Sequence, residues 1–199
     1  MALSKGTLYA SVRLFTERRF GRDAVDKLLL QLSKEDQDLL SSIVPVGWYP
    51  LEPIMRFHRA LDKMFGKGDL AMCHEVGRFS AEWQLTSFHK MLLRFKTPDW
   101  FFQKGFTVWR QYHDTGRWEL MGTGPMVITA RLFDFAVVDA AFCKREQGWF
   151  QRAAELTGGT SVVIDENACR SRGDPYCEYV GRWKPKHVTS GGGSGGGEA

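Results

Sequence analysis

Four side chains in the C-terminal third have the types and spacing to do chemistry together. Glu166 is followed after three residues by Cys169 and after eight more by Cys177, and Cys143 stands 23 residues before Glu166. Three thiols and one carboxylate suit a tetrahedral zinc ion, which takes sulfur at ~2.3 Å and carboxylate oxygen at ~2.0–2.2 Å. For Cys177 to reach Cys169 the chain must reverse sharply, and Gly173-Asp174-Pro175 supplies the turn. Four protein ligands leave no open position, which points to structure over catalysis. The competing reading is that these thiols are small buried hydrophobes, Cys143 within Ala-Ala-Phe-Cys above all. The interval from Cys169 to Cys177 is not a standard zinc-finger spacing, so spacing alone leaves both readings open. Cys73, next to His74, reads as core packing.

The elements that must position these residues follow from hydrophobic period. Leu8, Val12 and Phe15 recur at helical spacing, and Ala24, Leu28 and Leu29 form a second stripe. Ser33 followed by Glu35 and Asp36 marks a helix start. Two prolines and a glycine in 44–50 forbid a continuous helix there. Pro53 belongs in the first turn of a helix running to Phe65. Asp69 caps a longer one that extends toward Phe95, and Thr97-Pro98 opens a short one. Beyond them the pattern changes. Phe106 to His113 is expected as a strand, Asp114-Thr115-Gly116 as a hairpin turn, and Trp118–Met121 and Met126–Phe133 as further strands. Val137 to Leu156 is expected as one long helix, stopped by Gly158-Gly159. Thr160–Ile164 and Glu178–Trp183 complete the sheet. The fold class is therefore α+β, with a helical N-terminal half packed on an antiparallel sheet and one long C-terminal helix.

The expected organisation is a single ligand-binding domain over residues 1–189, helical over 7–104 and carrying sheet, long helix and thiol hairpin over 105–184. The Gly/Ser run at 190–199 reads as a flexible tail. The net charge of +4 comes from basic residues spread between Arg13 and Lys186, so a nucleic-acid footprint is not indicated. No run approaches the ~20 apolar residues of a membrane span, and Met1–Gly6 lacks the apolar core of a secretory signal. A cytoplasmic setting is expected, where thiols stay reduced. No phosphate-binding glycine loop, nucleophile elbow or Ser-His-Asp arrangement is present, so an enzyme is not expected. Aromatic side chains make up 13% of the chain, which is enough to line an apolar pocket. Trp109, Tyr112, Trp118, Phe133 and Phe150 are the candidate lining residues.

The segment ENACRSRGDPYCEY resembles the closing motif of the 4-vinyl reductase domain family, the sensory domain of aromatic-responsive activators. The similarity runs from about Gly105 to Trp183 and is strongest over Cys143–Tyr179. In that family a Cys on the last long helix, a Glu and two more Cys bind zinc, at the spacing found from Cys143 through Glu166 and Cys169 to Cys177. The resemblance implies zinc as cofactor and the twisted-sheet fold shared with haem-nitric-oxide-binding domains and TRAPP subunits. It also implies a homodimer and a non-enzymatic sensor of a hydrophobic or aromatic ligand, here as a stand-alone bacterial member. The family's phenol-holding His and Trp are not matched at their offsets by His113 and Trp118, so phenol sensing is not carried over. A TRAPP-like adaptor with a filled core and a tetrapyrrole carrier are the alternatives. No His stands out as a haem ligand, His89 included.

Overall fold

The computed structural model describes residues 2–87 and 97–185. The expected extension of the second long helix to Phe95, His89 and the tail at 190–199 lie outside these residues.

The chain opens with a short strand, β1 (Leu3–Lys5), and then packs helices α1 (Thr7–Phe20), α2 (Arg22–Leu29) and α3 (Lys34–Ser42). Ser33 caps α3 as its sequence suggests, its hydroxyl accepting from the Asp36 amide at 3.2 Å. The segment barred from helix by its prolines becomes β2 (Trp48–Pro50), antiparallel to β1. Helix α4 (Leu51–Phe65) carries Pro53 in its first turn, where a missing amide proton costs nothing. Helix α5 (Ala71–Ser87) follows, with Asp69 accepting from the Ala71 amide. Helix α6 (Pro98–Gly105) then leads into a 3-10 helix over Phe106–Gln111.

That 3-10 helix replaces the expected strand. Phe106, Trp109 and Tyr112 recur every third residue, and a 3-10 helix, with three residues per turn, stacks such positions on one face. The apolar period here is three, where a strand requires two. The segment after it is nevertheless tied to a strand: His113 bridges Ser4, and the Lys5 amide donates to the Tyr112 carbonyl. The extreme N-terminus is thereby stitched to the aromatic centre of the molecule.

The main sheet contains β3 (Arg117–Gly124), β4 (Val127–Phe133), β5 (Gly159–Ala168) and β6 (Cys177–Pro185). Its order is β3-β4-β6-β5, every pair antiparallel. The last strand is thus central rather than part of a separate final pair. Along β4, Ile128, Ala130 and Leu132 are buried while their neighbours are half-exposed, as one covered face requires. Helix α7 (Ala140–Leu156) lies between β4 and β5 in sequence. It begins three residues later than its apolar pattern suggests, because Asp139 caps it by accepting from the Ala141 and Phe142 amides. The α+β expectation holds.

Helices α5 and α7 cross at backbone contact. A Cβ at Gly77 would fall 1.9 Å from the Arg145 carbonyl oxygen, and one at Gly148 would fall 2.0 Å from that of His74. Only glycine allows this approach. The crossing fixes how α7 presents its side chains to the interior.

Candidate ligand cavity and thiol cluster

Between the helical block and α7 lies a cavity of about 80 Å³. Its walls come from α1, α5, α6, the 3-10 helix, β3 and α7, through residues such as Leu8, Leu85, Phe102, Phe106, Trp118 and Phe150. Phe106 stacks on Trp118 at 5.1 Å, and Trp118 meets Phe150 edge-on at 5.1 Å. Trp109 stacks on the His113 ring at 3.9 Å, and its indole N–H donates to the Thr115 carbonyl. These edge and offset contacts favour a stiff aromatic shell.

One end of the cavity is polar. Arg145 and Glu146 are 3% and 5% exposed, and the Arg145 Nη1 donates to Glu146 Oε1. The Arg145 Nε is buried without a partner. Burial pushes the Glu146 carboxyl up, and Arg145 opposes that shift. Gln84 stands on the opposite helix, its Oε1 accepting from the Trp149 indole N–H at 3.0 Å. His113 shares a 2.8 Å hydrogen bond between Nδ1 and the Ser4 hydroxyl. Burial, with the Arg145 charge behind it, depresses this imidazole to about 3, so it is neutral at pH 7.

The thiol cluster sits beyond the N-terminal turn of the same α7. The Cys143 sulfur is 3.7 Å from that of Cys177 and 3.4 Å from that of Cys169, and all three residues are buried. The loop that makes this possible is built from its own sequence. Asp174 Oδ2 accepts from the Cys169 amide at 2.7 Å, and Gly173 takes a left-handed φ of 96° to end the turn over Arg170–Arg172. The Arg170 amide donates to the Cys177 sulfur. Hydrogen bonding with Cys143 holds Cys169 and Cys177 below the usual thiol range and leaves Cys143 above it. Glu166 is half-buried beside them, raised first by burial and then by Cys169. Its carboxylate is already engaged, accepting from Arg172 at 3.0 Å and from the Tyr179 hydroxyl at 3.4 Å. Three sulfurs therefore lie within metal-ligating reach of one another, with the carboxylate next to the group rather than in it.

Of the side chains expected from sequence to line a pocket, Trp109, Tyr112, Trp118 and Phe150 do line the cavity. Phe133 does not. It shares the less-covered face of β4 with Arg131, packs on Tyr176 at 5.3 Å, and carries the Arg117 guanidinium over its ring. Strand alternation puts odd-numbered β4 positions on that face, which corrects the assignment. Arg145, Glu146 and Gln84 were missed. Arg145 and Glu146 fall in the helical stripe set by Phe142, Trp149 and Phe150, and charges in an apolar stripe were the available signal.

The fold is that of the haem-nitric-oxide-binding class. An H-NOX protein from S. oneidensis in its Fe(II) state superposes with a TM-score of 0.73 at 12% identity, over 92% of this chain and 98% of that one. An Fe(II) unliganded H-NOX mutant from K. algicida gives 0.70 at 12% identity, over 90% and 96%. A further H-NOX-family structure, concerned with haem distortion, gives 0.70 at 15% identity, over 92% and 96%. No family model matches the chain, and no curated protein does.

These neighbours correct the expectation of zinc as the cofactor: the metal named for proteins of this fold is iron, in haem. Haem in turn does not fit the described residues of this chain. A cavity of about 80 Å³ is far below the ~300 Å³ at which pockets begin to enclose drug-sized ligands. The one histidine among its described lining residues, His113, has Nδ1 bonded to Ser4 and one ring face covered by Trp109.

Proposed function

We propose that this chain is a non-enzymatic sensor or binding module for a small hydrophobic or aromatic ligand, taken up in the cavity between the helical block and α7. The observation that carries the reading is a largely aromatic wall around a small, partly open void, with the buried Arg145–Glu146 pair at its polar end. A void of about 80 Å³ is roughly half the ~150 Å³ of a cavity known to enclose benzene. A one-ring guest therefore enters only as the surrounding rings repack. Such repacking is how binding shifts a population of conformers, and α7 transmits it to the thiol hairpin.

Membership of the 4-vinyl reductase domain family, as a stand-alone cytoplasmic homodimer built on one domain over residues 1–189, is part of the same reading. So is a metal site at Cys143, Cys169 and Cys177, with Glu166 as fourth ligand once it turns from Arg172. Three mutually close sulfurs favour a thiophilic ion. Its role is to clamp α7 to the β5–β6 hairpin. Among the described residues no helix is long and apolar enough to cross a membrane.

Titration with toluene, followed by isothermal calorimetry and thermal shift, tests the reading. Saturable binding of one toluene per chain with a raised melting temperature is expected. Absence of binding would remove the sensor reading and favour the adaptor. The adaptor has one observation of its own: Val44, Val46 and Trp48 are 52%, 79% and 40% exposed within five residues.

A further inference from the structure

We infer that the guest is a one-ring aromatic molecule whose substituent presents an sp² oxygen, a carbonyl or a carboxylate, to the buried guanidinium of Arg145. The inference rests on the cavity being a binding site, as proposed above, and adds the chemistry of its polar end.

A guanidinium has five N–H donors, no acceptor and a permanent charge. At Arg145 it is 3% exposed and lines the cavity, yet its one side-chain hydrogen bond among the described residues is that from Nη1 to Glu146. The Nε donor is buried and has no partner among the described residues. Buried donors are ordinarily satisfied, and each one left alone is costly. The neighbours do not meet the need. The Gln84 carbonyl oxygen is held by Trp149, the His113 Nδ1 by Ser4, and the rest of the wall is mostly aromatic and aliphatic. The Arg145–Glu146 contact uses one nitrogen, Nη1, and leaves Nε, on the other edge of the guanidinium, without an acceptor among the described residues. That edge is donor-only and planar. Its complement is a planar oxygen acceptor, which a carboxylate meets with two oxygens and an amide or ketone with one. The aromatic shell selects the ring behind that oxygen, and the small void limits the guest to one ring.

Benzoate, benzamide, phenol and toluene, titrated separately into the intact protein by calorimetry, test this directly. All four carry one ring and differ in what they offer Arg145. Benzoate or benzamide is expected to bind at least about tenfold more tightly than toluene. Glu146→Gln separates the two oxygen sources: it strengthens benzoate severalfold and leaves benzamide nearly unchanged if the charged ligand is the true type. In the double variant Arg145→Met/Glu146→Leu, which removes both charges together, toluene binding persists and the oxygen preference disappears. Toluene binding as tightly as both oxygenated ligands overturns the inference while leaving the binding site intact. So does phenol binding most tightly, or a preference that survives in the double variant. If none of the four binds, the cavity reading beneath it falls as well. The wild-type comparison decides the matter even where a variant fails to fold.

Discussion

Helix α7 serves two regions that the chain assembles by opposite routes. At its N-terminal end Cys143 meets Cys169 and Cys177, which lie on a single loop eight residues apart and are held there by that loop's own turn. Over the next two turns, Arg145, Glu146, Trp149 and Phe150 meet side chains from five other elements, the most distant being Leu8. The thiol cluster is a local device, mostly written in consecutive residues. The cavity is a property of the whole packing, with no local sequence that specifies it. The first should fail abruptly when one atom is removed, and the second should fail gradually as helices shift.

The largest expected effect follows from the first half of that contrast. Replacing Cys177 with Ala removes one of three mutually close sulfurs and detaches β6 from α7 at its buried end. The domain is expected to lose the metal proposed for this site and at least about 4 kcal/mol of stability, the range reserved for loss of a structural metal or an equivalent centre. Thermal unfolding together with elemental analysis across the transition metals measures both. A Cys177→Ala protein with an unchanged melting temperature and metal content would show that the sulfurs are mere packing, and the contrast between the two regions would vanish.

Legibility follows the same division. The proximity of Cys169 to Cys177 could be read from Gly173-Asp174-Pro175, because turn chemistry is local, whereas Cys143 was joined to them by the family resemblance. Glu166 was placed beside them, but its capture by Arg172 and Tyr179 depends on strand register and carries no sequence mark. Helices α1 to α4 were visible in their apolar stripes and in Ser33 and Pro53. The 3-10 helix was not, since Phe106, Val108 and Tyr112 satisfy an alternating pattern as well as Phe106, Trp109 and Tyr112 satisfy a three-residue one. The insertion of β6 between β4 and β5 is a tertiary choice. Phe133 was misassigned because aromatic content says nothing of which strand face is covered. Arg145 and Glu146 were overlooked for a related reason: charge is normally evidence of a solvated face, and only the stripe around it argues otherwise.

A middle-sized effect tests the gradual half. Gly77→Ala places a Cβ 1.9 Å from the Arg145 carbonyl oxygen, so α5 and α7 must part. Overpacking of this kind costs about 1–3 kcal/mol. Both helices line the cavity, through Gln84 and Leu85 on one side and Arg145 and Glu146 on the other. The variant is therefore expected to lower the melting temperature by several degrees and to weaken toluene binding. Its thiol cluster, held mainly by the loop around Gly173, should keep the metal content of the wild type. Loss of metal in parallel with toluene affinity would show the two regions to be one cooperative unit.

The smallest effect comes from a site remote from both. Asp36 on α3 accepts two hydrogen bonds from Arg56, at 2.6 and 2.7 Å, and these hold its carboxyl below the usual carboxylate range against the opposing effect of burial. A carboxyl depressed in the folded state stabilises the protein fully above its unfolded value of about 4 and loses that contribution as the pH falls through the lower folded value. The Arg56 side chain is 51% exposed, so water screens the pair and about 1 kcal/mol is the realistic scale. Asp36→Asn is accordingly expected to melt a few degrees below the wild type at pH 7, with the gap closing as the solution is taken below about pH 4. Urea unfolding at pH 7 and at successively lower pH reads that closure. Metal content and toluene affinity should stay at wild-type values throughout, because Asp36 touches neither the thiol loop nor the cavity wall. An Asp36→Asn chain that bound toluene poorly would mean that the helical block and the cavity wall share one equilibrium, and the gradual failure expected of the cavity would extend to α3.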